Sequence, residues 1–264
     1  MQGSVACYCP DAEIPKANIH VKFMTAKFHT PLILALTFFL SCASCWGQGV
    51  DCPPGCSPGR WSSEAVDLSS ARSKAPYETR DIRVLSPDKQ KIAHIVKDHW
   101  WIEIGEIKIS LGPKKSLILY PAELAWAPNS SAFYITESAG YTTGYRVSIY
   151  RLEDQKLRAT ADVNQKIQRD FERRHKCSEE QLPNIAGLHW MDDSLNLLIV
   201  AEEPSISICN DAYYFGAYLI SIGAGQIVER FTPKTAESRW KNAFGYVLKD
   251  GFERLSKPQK NASP

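Results

Sequence analysis

The feature that most restricts the fold of this chain is a short pattern that recurs three times. It stands as LSPDKQKIAHIV at 85–96, WAPNSSAFYITE at 126–137 and WMDDSLNLLIVA at 190–201. Each copy has an apolar residue (Leu85, Trp126, Trp190), then a tight polar turn, then a run of aliphatic, β-branched or aromatic residues. The turns are centred on Pro87-Asp88, Pro128-Asn129 and Asp192-Asp193. Proline presets φ at the first corner of a turn, and Asp or Asn tolerates its tight second half. The apolar runs at 92–96, 133–136 and 197–200 then return as strands beside the ones they left.

More strand-like sequence follows each copy. HWWIEIGEIKISL at 99–111 bends near Gly105, YRVSIYRLEDQKLRAT at 145–160 turns at Glu153-Asp154, and YYFGAYLISIGAGQIVERF at 213–231 turns at 223–225. The unit is therefore four strands in a meander, present three times between 81 and 231. Leu85 and Trp126 are 41 residues apart, within the roughly 40–50 of one propeller blade. Trp126 and Trp190 are 64 apart, one blade plus an insertion.

The insertion, DVNQKIQRDFERRHKCSEEQL at 162–182, reads as a helix. Asp162 is a candidate N-cap with Gln165 three residues on. Val163, Ile167 and Phe171 share one helical face, whereas Lys166, Arg169, Arg173 and Arg174 lie mostly on the others. In 232–264, Ala236, Trp240, Phe244 and Val247 are about one turn apart, which predicts a C-terminal helix interrupted at Gly245 and Gly251 and ending in a frayed tail. The predicted fold is mostly β: about three four-stranded antiparallel meanders, propeller-like blades in an open or incomplete set, with one inserted helix and a C-terminal helix. A β-sandwich of meanders is the alternative.

The three turns resemble the Ser-Pro-Asp-Gly turn of TolB-like β-propeller repeats, in which an apolar residue, often Trp, precedes the turn and a strand follows. The resemblance covers about 85–231, and LSPDKQKIAHI carries it best; Lys89, Ser130 and Ser194 stand where that pattern has Gly. It implies blades arranged about an axis. Closed propellers have about 4–8 blades, so three copies imply an open arc or a divergent fourth blade in 58–80 plus 232–248. An open arc has to cover its edge strands.

Composition places the chain in an exported class. The strongest apolar run, PLILALTFFL at 31–40, is too short to span a bilayer and matches the core of a secretory signal. Lys27 and His29 precede it and SCASCWG follows, with cleavage after Ala43 or Gly47. A signal at 24–47 begins at Met24, which makes 1–23 an upstream extension from start-site choice. A rival reading takes FLSC at 39–42 as a lipoprotein signal with Cys42 lipidated, the one route to a membrane. The expected location is secreted or periplasmic, or lipid-anchored at the envelope under the rival reading.

Cys52, Cys56, Cys177 and Cys209 follow the signal, an even number that suggests disulfides. Of the possible pairings, Cys177 with Cys209 and Cys52 with Cys56 are favoured. No CxxC pair follows the signal and no His stands at ligand spacing from a Cys, so no metal is expected. The segment 48–80, rich in Pro, Gly and Ser, reads as an extended entry segment packed on the domain. The net charge of +2 sets up no field for nucleic acid.

Catalytic motifs are missing: no GxSxG, HExxH, phosphate loop or dinucleotide fingerprint occurs, and no cofactor is expected. Glu103 and Glu106 in IEIGEI, and Glu202 with Glu203 at a strand end, are the acids from which glycoside chemistry would be built. His94, His99, His175 and His189 lack companions at ligand spacing. Trp101, Tyr141, Tyr145 and Tyr213, at or beside the loops of the repeats, are the candidate binding residues. Adjacent strand residues point to opposite faces, so one of Trp100 and Trp101 is core. The leading expectation is a non-enzymatic binding or scaffold module for a protein or glycan partner. An extracellular hydrolase or lyase of polymers is the alternative, and it requires two or more of those acids and histidines to converge in one pocket.

Overall fold

The computed structural model describes residues 57–68, 81–96, 99–113, 122–138, 144–174, 182–203 and 214–256. Three antiparallel sheets run in chain order. Sheet I holds β2 (Asp81–Leu85), β3 (Lys91–Val96), β4 (His99–Ile104) and β5 (Ile107–Pro113). Sheet II holds β6 (Ala122–Trp126), β7 (Ala132–Ser138), β8 (Tyr145–Glu153) and β9 (Lys156–Ala159), with β1 (Val66–Asp67) added along β6. Sheet III holds β10 (Asn184–Trp190), β11 (Asn196–Glu202), β12 (Phe215–Ser221) and β13 (Gln226–Phe231). Each is the meander that the sequence predicts, and the fold is mostly β.

The three copies of the turn superpose residue for residue in their bonding. Leu85, Trp126 and Trp190 each end the first strand of their sheet and pair with Ile92, Phe133 and Leu197. The next residue donates its N–H across the turn: Ser86 to Lys91 O, Ala127 to Ala132 O, Met191 to Asn196 O. Lys89, Ser130 and Ser194 close each turn from inside, at φ 58, 60 and 55. The left-handed conformation that the glycine of the repeat pattern would supply is thus present, adopted by L-residues at a cost of roughly 1–2 kcal/mol each.

Successive sheets are joined by the same two hydrogen bonds. Trp126 Nε1 donates to Val84 O (3.1 Å) and Trp190 Nε1 to Ala125 O (3.2 Å). Asp88 N donates to Ser130 Oγ (2.9 Å) and Asn129 N to Ser194 Oγ (3.1 Å). Both bonds span 42 residues from I to II and 65 from II to III, so one stacking relation operates twice. Sheet I has Leu85 and Lys89 at the corresponding positions. It therefore lacks the indole donor and the hydroxyl acceptor through which sheets II and III hold the sheet before them.

The buried clusters follow the same order. Ile82, Val84, Ile95, Trp100 and Ile102 of sheet I pack on Leu124, Trp126, Phe133 and Ile135 of sheet II. Tyr134, Val147 and Ile149 from the other face of II pack on Ile185, Trp190, Leu197, Ile199 and Ile220 of III. The far face of III, with Leu188, Leu198, Val200, Phe215 and Ala217, is covered by Trp61, Ala236, Phe244 and Leu248. The last three belong to a C-terminal lid: α2 (Pro233–Trp240), a 3-10 turn (Lys241–Ala243), Phe244 itself and α3 (Tyr246–Ser256). The lid covers the face of sheet III that no other sheet covers among the described residues.

The insertion is α1 (Val163–Arg174), whose Val163, Ile167 and Phe171 are buried between sheets II and III as their spacing predicts. Asn164 receives Val147 N–H (3.0 Å) and donates to Val147 O (2.7 Å). That stretch of β8 lies beyond the reach of β9, and the Asn side chain serves its open edge. Asp162 does stand at the N-cap position, directly before α1 with its C=O accepting the Lys166 N–H (3.0 Å), but at φ 59 rather than in extended backbone. One local expectation needs correction: Gly251 sits inside α3, which runs through it, and the lid breaks only at 241–245.

Candidate functional site: a carboxyl hub under an aromatic mouth

One strap of chain reaches every layer of the stack. Residues 57–68 put Trp61 into the cluster between sheet III and the lid, Ala65 into that between II and III, and Val66 with Leu68 into that between I and II. Val66 pairs with Leu124 and Asp67 with Glu123, so the strap covers the free edge of β6. Ser62 Oγ donates to Leu188 O (2.6 Å), and Ser63 N donates to Ala243 O (2.8 Å). From the lid, Gly245 N donates to Trp61 O (2.6 Å) and Val247 N to Arg60 O (3.0 Å).

Beneath the strap lies Glu123, 1% exposed in the all-buried strand β6. Its Oε2 accepts the Trp61 N–H at 3.2 Å, and the same oxygen crowds the position of a Cβ on Gly59. Only glycine lets the strap come so near the carboxyl. Among the described residues Glu123 Oε1 has no hydrogen-bond partner. Burial pushes the carboxyl up to about 8, although the N–H groups of Trp61, Ser62 and Arg60 favour its charged form. Beside it, burial and the nearness of Glu123 push the Tyr134 hydroxyl well above the usual phenol range.

The strap leads outward to a ring of aromatics. The Arg60 guanidinium carbon lies 5.4 Å from the Trp61 ring centroid, 5.6 Å from Tyr145 and 5.9 Å from Tyr246. Trp61 meets Tyr145 edge-on at 4.1 Å, and Trp61 Nε1 donates to Glu202 Oε1 at 3.1 Å. Asn184 Nδ2 donates to the same oxygen. Tyr246 is 50% exposed and Tyr145 half-buried, so this mouth presents two phenol rings around a cation.

The candidate binding residues are not gathered in one place. Tyr145 is at the mouth. Trp101 is in sheet I, on the face opposite Trp100, stacked on His94 at 4.7 Å with Lys108 over it at 5.6 Å. Tyr141 and Tyr213 lie outside the described residues, as do Cys42, Cys52, Cys56, Cys177, Cys209 and the signal segment. The candidate acids are dispersed as well. Glu103 faces His94 at 3.2 Å on sheet I, Glu106 is exposed in the β4–β5 turn, and Glu202 and Glu203 are buried at the end of β11. His189 holds Glu64 of the strap at 2.8 Å. Among the described residues no group of three His, Cys, Asp or Glu is placed to hold a metal ion.

Glu123, Arg60 and Trp61 were not singled out from the sequence. The available signal was the acid in AELAW, a lone charge in a five-residue strand otherwise fit for burial on both faces. Its partner is strap backbone, which no side-chain pattern announces. Comparison with protein-family models, with curated proteins and with solved structures finds no match to this chain.

Proposed function

We propose that this chain is an exported, non-enzymatic binding module of TolB-like β repeats that holds a protein partner at the Arg60–Tyr145–Tyr246 mouth. The observation that carries the reading is the half-exposed Tyr246 set with Tyr145 around one guanidinium. Tyr, Trp and Arg are the residues from which interface hot spots are built, because they bring large area at little entropic cost. Glu103 meets His94 on sheet I, Glu106 is exposed and Glu202 lies on sheet III, so among the described residues no two of the candidate acids are brought together on one sheet with a catalytic companion, which speaks against the hydrolase alternative. Support for export is the apolar run at 31–40 with its small-residue flank.

The test uses the protein secreted by its own cells, with a photo-crosslinking residue at position 246 and, as a control, at the exposed Leu195. The expected result is one protein adduct from 246 and none from 195. Y246A in the otherwise native chain should then weaken binding of that purified partner at least tenfold, which corresponds to about 1.4 kcal/mol. Adducts only to glycan, equal labelling from both positions, or polymer hydrolysis abolished by E202Q would overturn the reading.

A further inference from the structure

The strap is attached to the stack through a titratable group, and the attachment has an unusual form. Glu123 meets backbone N–H groups of the strap, and among the described residues no ion pair reaches it: the Arg60 guanidinium of the same strap is directed at three aromatic rings and at the Tyr145 hydroxyl. Asp67 on β1 opposes its charge, and Glu123 in turn acts on the phenols of Tyr134 on β7, Tyr145 on β8 and Tyr246 on α3. Those phenols also feel Glu64 of the strap, Glu202 on β11 and Asp250 on α3 respectively. A negative charge on Glu123 is buried, opposed by Asp67 and short of one hydrogen bond at Oε1 among the described residues.

We propose that the strap is a proton-controlled latch: with the Glu123 carboxyl neutral, residues 59–67 lie seated across the sheets, and loss of that proton unseats them while the three sheets stay folded. Geometry supplies the separability. The strap enters each cluster by one or two side chains, whereas each sheet keeps its own ladders and the two inter-sheet bonds that bypass the strap. The latch stands apart from the partner-binding reading, since it concerns only how the strap is held. If both hold, opening the latch removes Arg60 from the mouth.

The sign follows from linkage. A carboxyl that stands at about 8 when seated and near 4.5 when free favours the seated strap by an amount that is full below 4.5 and lost as pH rises to 8. The opening constant should therefore rise about tenfold per pH unit across that window and level off above it. Hydrogen exchange on the full chain reads this directly, once the intrinsic pH dependence of exchange is divided out. Between pH 5.5 and 8.5, protection at 61–67 should fall at least a hundredfold while β7 and β11 stay protected.

E123Q keeps the shape and an acceptor for Trp61 N–H but cannot ionise, so it should hold the strap seated at both pH values. His189 also holds the strap, through Glu64, so H189Q is the control; it must leave the slope between pH 7 and 8 in place. The proposal is overturned by flat strap protection in the native chain, by a slope that E123Q retains or that H189Q removes, by a strap unprotected at both pH values in E123Q, or by loss of β7 and β11 protection together with the strap.

Discussion

Lys89, Ser130 and Ser194 occupy the same left-handed corner but do different work there. Ser130 and Ser194 use their hydroxyls to accept the N–H of Asp88 and Asn129 from the preceding sheet, and both are buried. Lys89, in the first sheet, has no such task and is exposed. Glycine at any of these positions relieves roughly 1–2 kcal/mol of backbone strain and adds roughly 0.5–1 kcal/mol of unfolded-state entropy to be lost on folding. K89G should thus be neutral to stabilising, by up to about 1.5 kcal/mol. S130G additionally gives up the inter-sheet bond, worth about 1 kcal/mol, and leaves the Asp88 N–H without its acceptor. Chemical denaturation should place S130G at least about 1 kcal/mol below K89G. Equal stabilities would mean that the hydroxyls do not join the sheets.

At the scale of elements, α1 is secured to the stack by its apolar triad and by one buried carboxylate. Asp170, 3% exposed, accepts from Arg230 Nε of β13 (2.8 Å) and from Arg173 and Arg174 of its own last turn (3.0 Å each). Burial alone would push this carboxyl up, but Arg230 and Arg174 outweigh it and hold it below the usual range. A depressed folded value means that the clasp contributes above the free Asp value, near 4, and is lost as pH falls through the folded one. The arginines are 41–74% exposed and can rehydrate, so D170N should cost only about 1–2 kcal/mol. It should also flatten the acid limb of the thermal-stability profile. The apolar triad was legible in the sequence because 163, 167 and 171 recur at helical spacing. The clasp was not, because Arg230 lies 60 residues away. The lid shows the same division: its apolar spacing was visible, but its break was misplaced in part, since contact with the strap at Gly245, and not the presence of glycine, decides where the chain must bend. Glu123 was hidden for that reason too.

For the whole molecule the question is what makes three stacked sheets and a lid behave as one body. Stacked repeats interact with nearest neighbours, and among the described residues sheets I and III contribute to no common cluster. The strap touches every layer, and at the lid it fits against backbone. A Cβ on Gly245 would run into the carbonyl of Arg60 and that of Gly59, backbone that has no rotamer with which to move aside. Gly223, in the β12–β13 turn, has open space around the same position. G245A should therefore destabilise by about 2–3 kcal/mol, in the range of an overpacked core, while G223A should stay within about 0.5 kcal/mol of the native chain. The layers should also part company. With the strap lifted off the lid, the 246–249 amides and the Trp61 environment should respond at lower denaturant than β7 and β8 between sheets I and III. A single coincident transition in G245A, at native stability, would show that the lid closes the stack without the strap, and that the layers are held by their shared faces alone.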